Sequence, residues 1–215
     1  VVPDWDTMIA AKVLDENEFR AGLKQQYIDK IDPSQDKYDI EEEDLMRRIK
    51  HSFECSEKLK THMRCLFRHG SMYQVCNSNL LFHASVPMNP EGTLKTINIE
   101  GVAYKGKAFL DKVDQLVRTA YFDTEDSPEK DFAMDYIWYL WEGKDSPLFD
   151  KSKMATFERC FIEDKAVQKE EKGAYYTLRQ EEAICNMLLD EFEVTGEHRH
   201  IINGHVPVRS IKGEN

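Results

Sequence analysis

Seven histidines and five cysteines are the residues of this chain best equipped to hold a metal or move a proton. Two histidines share a context. His83 closes the apolar run Leu80-Leu81-Phe82, and His205 follows His200-Ile201-Ile202 across Asn203-Gly204. Each would place an imidazole at the carboxyl end of a short strand, where layered α/β proteins commonly build active sites. A strand end holds a neutral ring nitrogen rigidly, as a metal ligand requires. Gly204 lets the backbone turn tightly and leaves the His205 ring open to whatever lies above. The bland alternative is a pair of ordinary loop histidines. His198-x-His200 lacks a nearby third ligand, and its neighbours Glu197 and Arg199 suit a solvated turn. His51, His62 and His69 fit surface or capping roles. The cysteines (55, 65, 76, 160 and 185) are odd in number, lack CxxC spacing and read as reduced, structural, intracellular thiols. None is expected beside a helix start with a histidine partner.

Other chemistries have no motif here. Gly-x-Ser-x-Gly, a Walker loop and GxGxxG are all missing from the sequence. Lys144, Lys151, Lys153, Arg159 and Lys165 form a basic stretch beside Trp138-Tyr139-Leu140-Trp141. In a chain of net charge −11 such a stretch is a candidate for phosphate groups, against the plainer reading of a mixed-charge surface. The aromatic run could stack on a sugar, although aromatics at helical spacing are more often core.

The elements that must position these residues follow from periodicity. Apolar residues recur at helical spacing over 7–31 and 40–66, with Pro33 and Ser34-Gln35-Asp36-Lys37 between. Glu41-Glu42-Glu43-Asp44 suits a first helical turn. Residues 71–76 and 80–84 flank Asn77-Ser78-Asn79 and predict a hairpin. A further short strand fits 95–100. Helices are expected over 106–120, from Ser127-Pro128 to about Tyr139, and over 178–193, with a strand at 200–202. Residues 147–177 are mixed. The class is α+β, with too few strands for a complete sheet.

Composition bounds the rest. The 215 residues carry 29 Lys and Arg against 40 Asp and Glu, with 41% apolar and 11% aromatic residues. That is a globular composition, allowing one large domain or two small ones. The acidic balance argues against a nucleic-acid partner. No apolar stretch approaches the roughly 20 residues of a membrane span, and no signal peptide opens the chain. A cytoplasmic location is expected. The chain opens Val1-Val2-Pro3 and closes Lys212-Gly213-Glu214-Asn215, which reads as a piece of something longer.

Several strings then resemble, in order, the middle of class III fructose-1,6-bisphosphatase, a bacterial enzyme. They are Ser56-Glu57-Lys58-Leu59, Gly70-Ser71-Met72-Tyr73, Asn79 to His83 with Val86-Pro87-Met88-Asn89, and Tyr136 to Trp141. Ser146-Pro147-Leu148-Phe149, Lys153-Met154-x-Thr156-Phe157-Glu158-Arg159, Asn203 to Val208 and Lys212-Gly213-Glu214 complete the set. The likeness runs from about residue 55 onward; the opening 50 residues are less distinctive. The resemblance implies a partial metallophosphoesterase β-sandwich core with large helical insertions, residues 1–69 forming an insertion and 70–215 the later part of the core. It implies hydrolysis of the 1-phosphate of fructose 1,6-bisphosphate, a step of gluconeogenesis, at a two-metal centre that is typically manganese. His83 and His205 match two of the family's metal-binding histidines. Where many relatives carry a second histidine two places later, this chain has Pro207. The family's early motifs, Asp-x-His, Gly-Asp-x-x-Asp-Arg and Gly-Asn-His-Asp, are absent from these 215 residues. No catalytic residue is therefore assigned within the chain, and the 215 residues alone are expected to be inactive. Lys144, Lys151, Lys153, Arg159 and Lys165 remain the substrate candidates, a sugar bisphosphate is the partner, and homo-oligomerisation is left open.

Two other readings stand beside this one. A non-catalytic helical interaction or regulatory module would keep the two rings apart. Histidines separated by more than about 8 Å could not share an ion, since His–metal bonds are roughly 2 Å. A different metallophosphoesterase would share the metal chemistry, but the aromatic and basic strings around 136–165 favour the sugar phosphatase.

Overall fold

The computed structural model describes residues 40–206. The helix expected over 7–31, the break at Pro33, Pro207 and the closing Lys-Gly-Glu string lie outside the described residues. The chain forms two compact units, one of residues 1–70 with Ala155–Lys169, the other of Ser71–Met154 with Glu170–Asn215.

In the first unit, α1 (Ile40–Glu54) and α2 (Glu57–His69) replace the single helix suggested by the continuous apolar period over 40–66. Ser56 makes the difference. Its backbone is extended, and its side chain accepts the Leu59 N–H at 3.2 Å, so the chain stops and restarts. The apolar residues of that period are not buried: Leu45, Met46, Ile49, Phe53 and Leu66 are 43–63% exposed, and α2 buries none of its residues. α5 (Thr156–Phe161) belongs to the same unit.

The second unit holds the sheet. β1 (Tyr73–Cys76) and β2 (Asn79–Phe82) form the antiparallel hairpin. Asn77 and Ser78 both take positive φ (50° and 62°), the two-residue turn whose twist matches the flanking strands. β5 (His200–Asn203) adds to β2 in parallel, giving the order β1-β2-β5. β3 (Ile97–Ile99) falls inside the expected 95–100 strand, and β4 (Val102–Tyr104), which the periodicity did not suggest, pairs with it. Glu100-Gly101 makes that turn, again with positive φ (51° and 82°).

Helices cover one side of these strands. α3 (Gly106–Phe122) and α4 (Pro128–Glu142) pack side by side. Ser127 caps α4 by accepting the Lys130 N–H at 3.1 Å, Pro128 opens it and Gly143 ends it. The helix expected over 178–193 forms as α7 (Glu182–Glu191), starting a few residues later than expected, and a separate short turn, α6 (Tyr175–Leu178), precedes it. Glu181 is extended between them, and its carbonyl accepts the Ile184 and Cys185 N–H groups that start α7. Leu80, Phe82, Phe109, Leu110, Val113, Tyr136, Leu188 and Phe192 form one core beneath β2. Each such side chain contributes about 1.5–3 kcal/mol by leaving water. The result is a mixed α and β protein with small sheets and several helices. No helix among the described residues is long and apolar enough to cross a membrane.

Candidate metal centre

β2 and β5 run parallel with Phe82 beside Asn203, so both strands end at the same level. The next residues leave the sheet together. Gly204 N–H donates to the His83 carbonyl at 2.8 Å. The Asn203 side-chain amide donates to the Ala84 carbonyl at 3.0 Å and accepts the Tyr175 hydroxyl at 3.2 Å. These bonds lock the two strand ends to each other and to the core. His205 then takes positive φ (62°), which turns its ring back over the sheet end.

The rings meet there. His83 Nε2 lies 3.1 Å from His205 Nδ1, with centroids 5.1 Å apart and planes at 75°. An N–H of one ring can donate to the bare nitrogen of the other. Burial of its partly enclosed ring, followed by the charges of His83 and Lys151, holds the His205 imidazole below its ordinary pKa. A neutral imidazole is the form that binds metals. At bonds of roughly 2.1 Å, nitrogens 3.1 Å apart subtend roughly 95° at a shared ion, close to the angle between neighbouring octahedral ligands. Two imidazoles do not make a complete site. Among the described residues no cluster of three or more His, Cys, Asp or Glu side chains could hold an ion. The pair fits two ligands of one metal, not both metals of a two-metal centre, and manganese also wants oxygen ligands. The rings stand far closer than the interaction-module reading requires.

The basic stretch divides between the units. Lys151, half-buried, pairs with Glu170 at 2.6 Å and is the only one of its members whose charge bears on His205. Lys144 is exposed, and its carbonyl accepts the Tyr139 hydroxyl at 2.6 Å. Lys153 is half-buried in the same unit, whereas Arg159 and Lys165 are exposed in the other. In the aromatic run and its flank, Tyr136 and the aliphatic Leu140 enter the core while Trp141 is 48% exposed beside Trp138. The cysteines are free thiols, four of them exposed, so a buried structural role does not hold for those four. Cys55 does sit just before a helix start with a histidine partner, its Sγ 3.4 Å from His51 Nδ1, because α1 ends at Glu54 and α2 restarts at Glu57 where the spacing suggested one continuous helix.

Sequence reasoning missed Asp150, which is only 3% exposed. Burial, then the nearby Asp145 charge, pushes its carboxyl up to about 6. The Tyr176 N–H and the Lys95 charge pull the other way. The facing Ser85 hydroxyl pulls the same way, ahead of both, while Asp150 Oδ2 is buried without a hydrogen-bond partner. Gly173 donates its N–H to the Asp150 carbonyl at 2.7 Å, and a Cβ at Gly173 would stand 2.0 Å from Oδ1. That glycine, 23 positions away, was the one available signal.

A family model described as Firmicute fructose-1,6-bisphosphatase matches residues 8–215, nearly the whole chain and well upstream of the strings that first suggested it. The chain belongs to that family. Fructose-1,6-bisphosphatase class 3 of Parabacteroides distasonis is 73% identical over 176 residues, 82% of this chain and 26% of the relative. The class 3 enzyme of Phocaeicola vulgatus is 60% identical over 195 residues, 90% of this chain and 29% of the relative. That of Clostridium botulinum is 48% identical over 174 residues, or 81% and 26%. The chain thus spans about a quarter of the length of the curated relatives it matches. No solved structure matches it.

Proposed function

We propose that these 215 residues are the part of a cytoplasmic class 3 fructose-1,6-bisphosphatase that supplies His83 and His205 to its metal centre. The complete enzyme would hydrolyse fructose 1,6-bisphosphate to fructose 6-phosphate and phosphate. One observation carries this: in a chain of that family, two histidines 122 positions apart meet at 3.1 Å beyond two paired strand ends. His83 would offer Nε2 and His205 Nδ1. Manganese bound there would supply Lewis acidity for phosphate oxygens and a water acidic enough to be hydroxide near neutral pH.

The remaining work falls to the chain itself. The Asn203 bridge to Ala84 fixes the spacing of the strand ends, and the lowered pKa of His205 favours the neutral ring that can bind a metal. Lys151, held by Glu170, presents a cation to a phosphate group near His205. Lys144 and Lys153 are further substrate candidates in the same unit, and Arg159 and Lys165 in the other. The fold that goes with this reading is a metallophosphoesterase β-sandwich, with residues 1–69 as a helical insertion and 70–215 as the later part of its core. The carboxylate ligands would come from elsewhere in the polypeptide, so the 215 residues alone would be inactive. Manganese-dependent phosphate release from fructose 1,6-bisphosphate tests this on the purified chain and on a complete relative. Turnover by the relative and none by the chain is expected. Turnover by the chain alone on the order of 1 per second or more would overturn it.

A further inference from the structure

The pairing of β2 with β5 ends at Phe82 and Asn203, and the two rings are carried just past it. Beyond that pair, and besides the ring contact itself, two bonds among the described residues join the His83 segment to the His205 segment. One is backbone to backbone, from the Gly204 N–H to the His83 carbonyl at 2.8 Å. The other depends on a side chain, from Asn203 Nδ2 to the Ala84 carbonyl at 3.0 Å. A side-chain amide can face two ways. The Ala84 carbonyl can only accept, so Nδ2 must point to it and Oδ1 must point away. Oδ1 meets the Tyr175 hydroxyl at 3.2 Å, and that hydroxyl therefore has to donate. Tyr175 is built for the task. It is 1% exposed, and its ring stands edge-on to Phe82 with centroids 5.7 Å apart. Burial pushes its phenol above the ordinary value, so the proton stays on.

We infer that Tyr175 is a positioning residue for the metal pair: by donating to Asn203 Oδ1 it sets the amide that holds the His83 and His205 segments at one spacing. The inference rests on the reading of both histidines as ligands of one ion. Without the hydroxyl, Oδ1 would face a phenyl ring with no donor, an arrangement that costs free energy. Turning the amide over would set Oδ1 against the Ala84 carbonyl, two acceptors together. Turning it out to water would open the bridge, and Asn203, half-buried, is free to take that course. Either way the ring nitrogens now 3.1 Å apart lose a restraint, and a shared ion tolerates only about 0.5 Å of misplacement.

Manganese titration of a complete class 3 enzyme that keeps these residues, read by the electron paramagnetic resonance of the free ion, tests it apart from activity. The equivalent of His205→Ala identifies the ion at issue as the one whose binding it weakens. For that ion Tyr175→Phe should raise Kd about 10-fold or more, the size expected when the support behind a ligand is lost. The phenyl ring keeps the packing on Phe82, and titration well below the unfolding temperature of each variant separates lost positioning from lost fold. Asn203→Leu should raise Kd as well. Adding Tyr175→Phe to it should change Kd by less than about 2-fold, because the hydroxyl acts only through that amide. A Kd unchanged by Tyr175→Phe, or an effect in the double variant as large as in Tyr175→Phe alone, would overturn the inference and leave the ligand reading standing. A Kd unchanged by His205→Ala would overturn both. Should Tyr175→Phe fail to fold, an unchanged Kd in Asn203→Leu would overturn the inference on its own.

Discussion

Replacing Asp150 with Asn should abolish a pH dependence that the fold imposes on itself. The Asp150 carboxyl titrates near about 6 in the folded chain against an ordinary value of 3.8, chiefly because it is buried. At about 1.36 kcal/mol per tenfold change in proton affinity, that difference amounts to about 3 kcal/mol. Between the two values the folded state binds more protons than the unfolded state, so stability falls as pH rises. The favourable contribution is complete below 3.8 and lost as pH passes through about 6. Integrating the two titrations, the part lost between pH 5 and pH 8 is about 1.4 kcal/mol. Asn keeps the shape and an oxygen for the Tyr176 N–H but carries no charge to bury. Thermal unfolding of both proteins from pH 5 to pH 8, followed by tryptophan fluorescence, isolates the effect because other titrations cancel in the difference. Two of the three tryptophans, Trp138 and Trp141, lie in the same unit as Asp150. Wild type should lose about 3–6 °C of Tm relative to Asp150→Asn across that range, at about 2–4 °C per kcal/mol. A difference that stays flat with pH, or that moves in wild type's favour as pH rises, would refute the reasoning.

Other expectations concern the cap and the ion pair. Ser127→Ala removes the acceptor for the Lys130 N–H at the start of α4 and should cost about 1 kcal/mol in denaturant unfolding, with Ser127→Asp largely retaining stability. Lys151→Met removes a cation that depresses His205, so the His205 pKa measured by NMR should rise. It should also leave Glu170 without its 2.6 Å partner, and Glu170→Gln paired with Lys151→Met should recover part of any lost stability.

Legibility in the sequence varied with the range of the forces involved. The hairpin could be read because Asn77-Ser78 is local turn chemistry between two β-rich runs, and α4 because Ser127-Pro128 is a local start signal. The His83–His205 pair was legible in part. Each lies just past a strand end, but nothing local says that β2 and β5 are parallel neighbours in register, which is what brings the rings together. The break at Ser56 lost to a strong apolar period, since a single side-chain cap outweighed it. β4 was missed because three residues are too few to show alternation. Asp150 was invisible for a different reason: its behaviour comes from burial against residues such as Gly173, which no spacing rule connects to it.

Metal content tests the central claim most directly. In a complete class 3 enzyme loaded with manganese and desalted, the equivalents of His83→Ala and His205→Ala should each lose the same single equivalent of metal. The double variant should lose no more than either alone, because both rings serve one ion. Full metal content in both single variants, or losses that add in the double, would contradict a shared ligand role for His83 and His205.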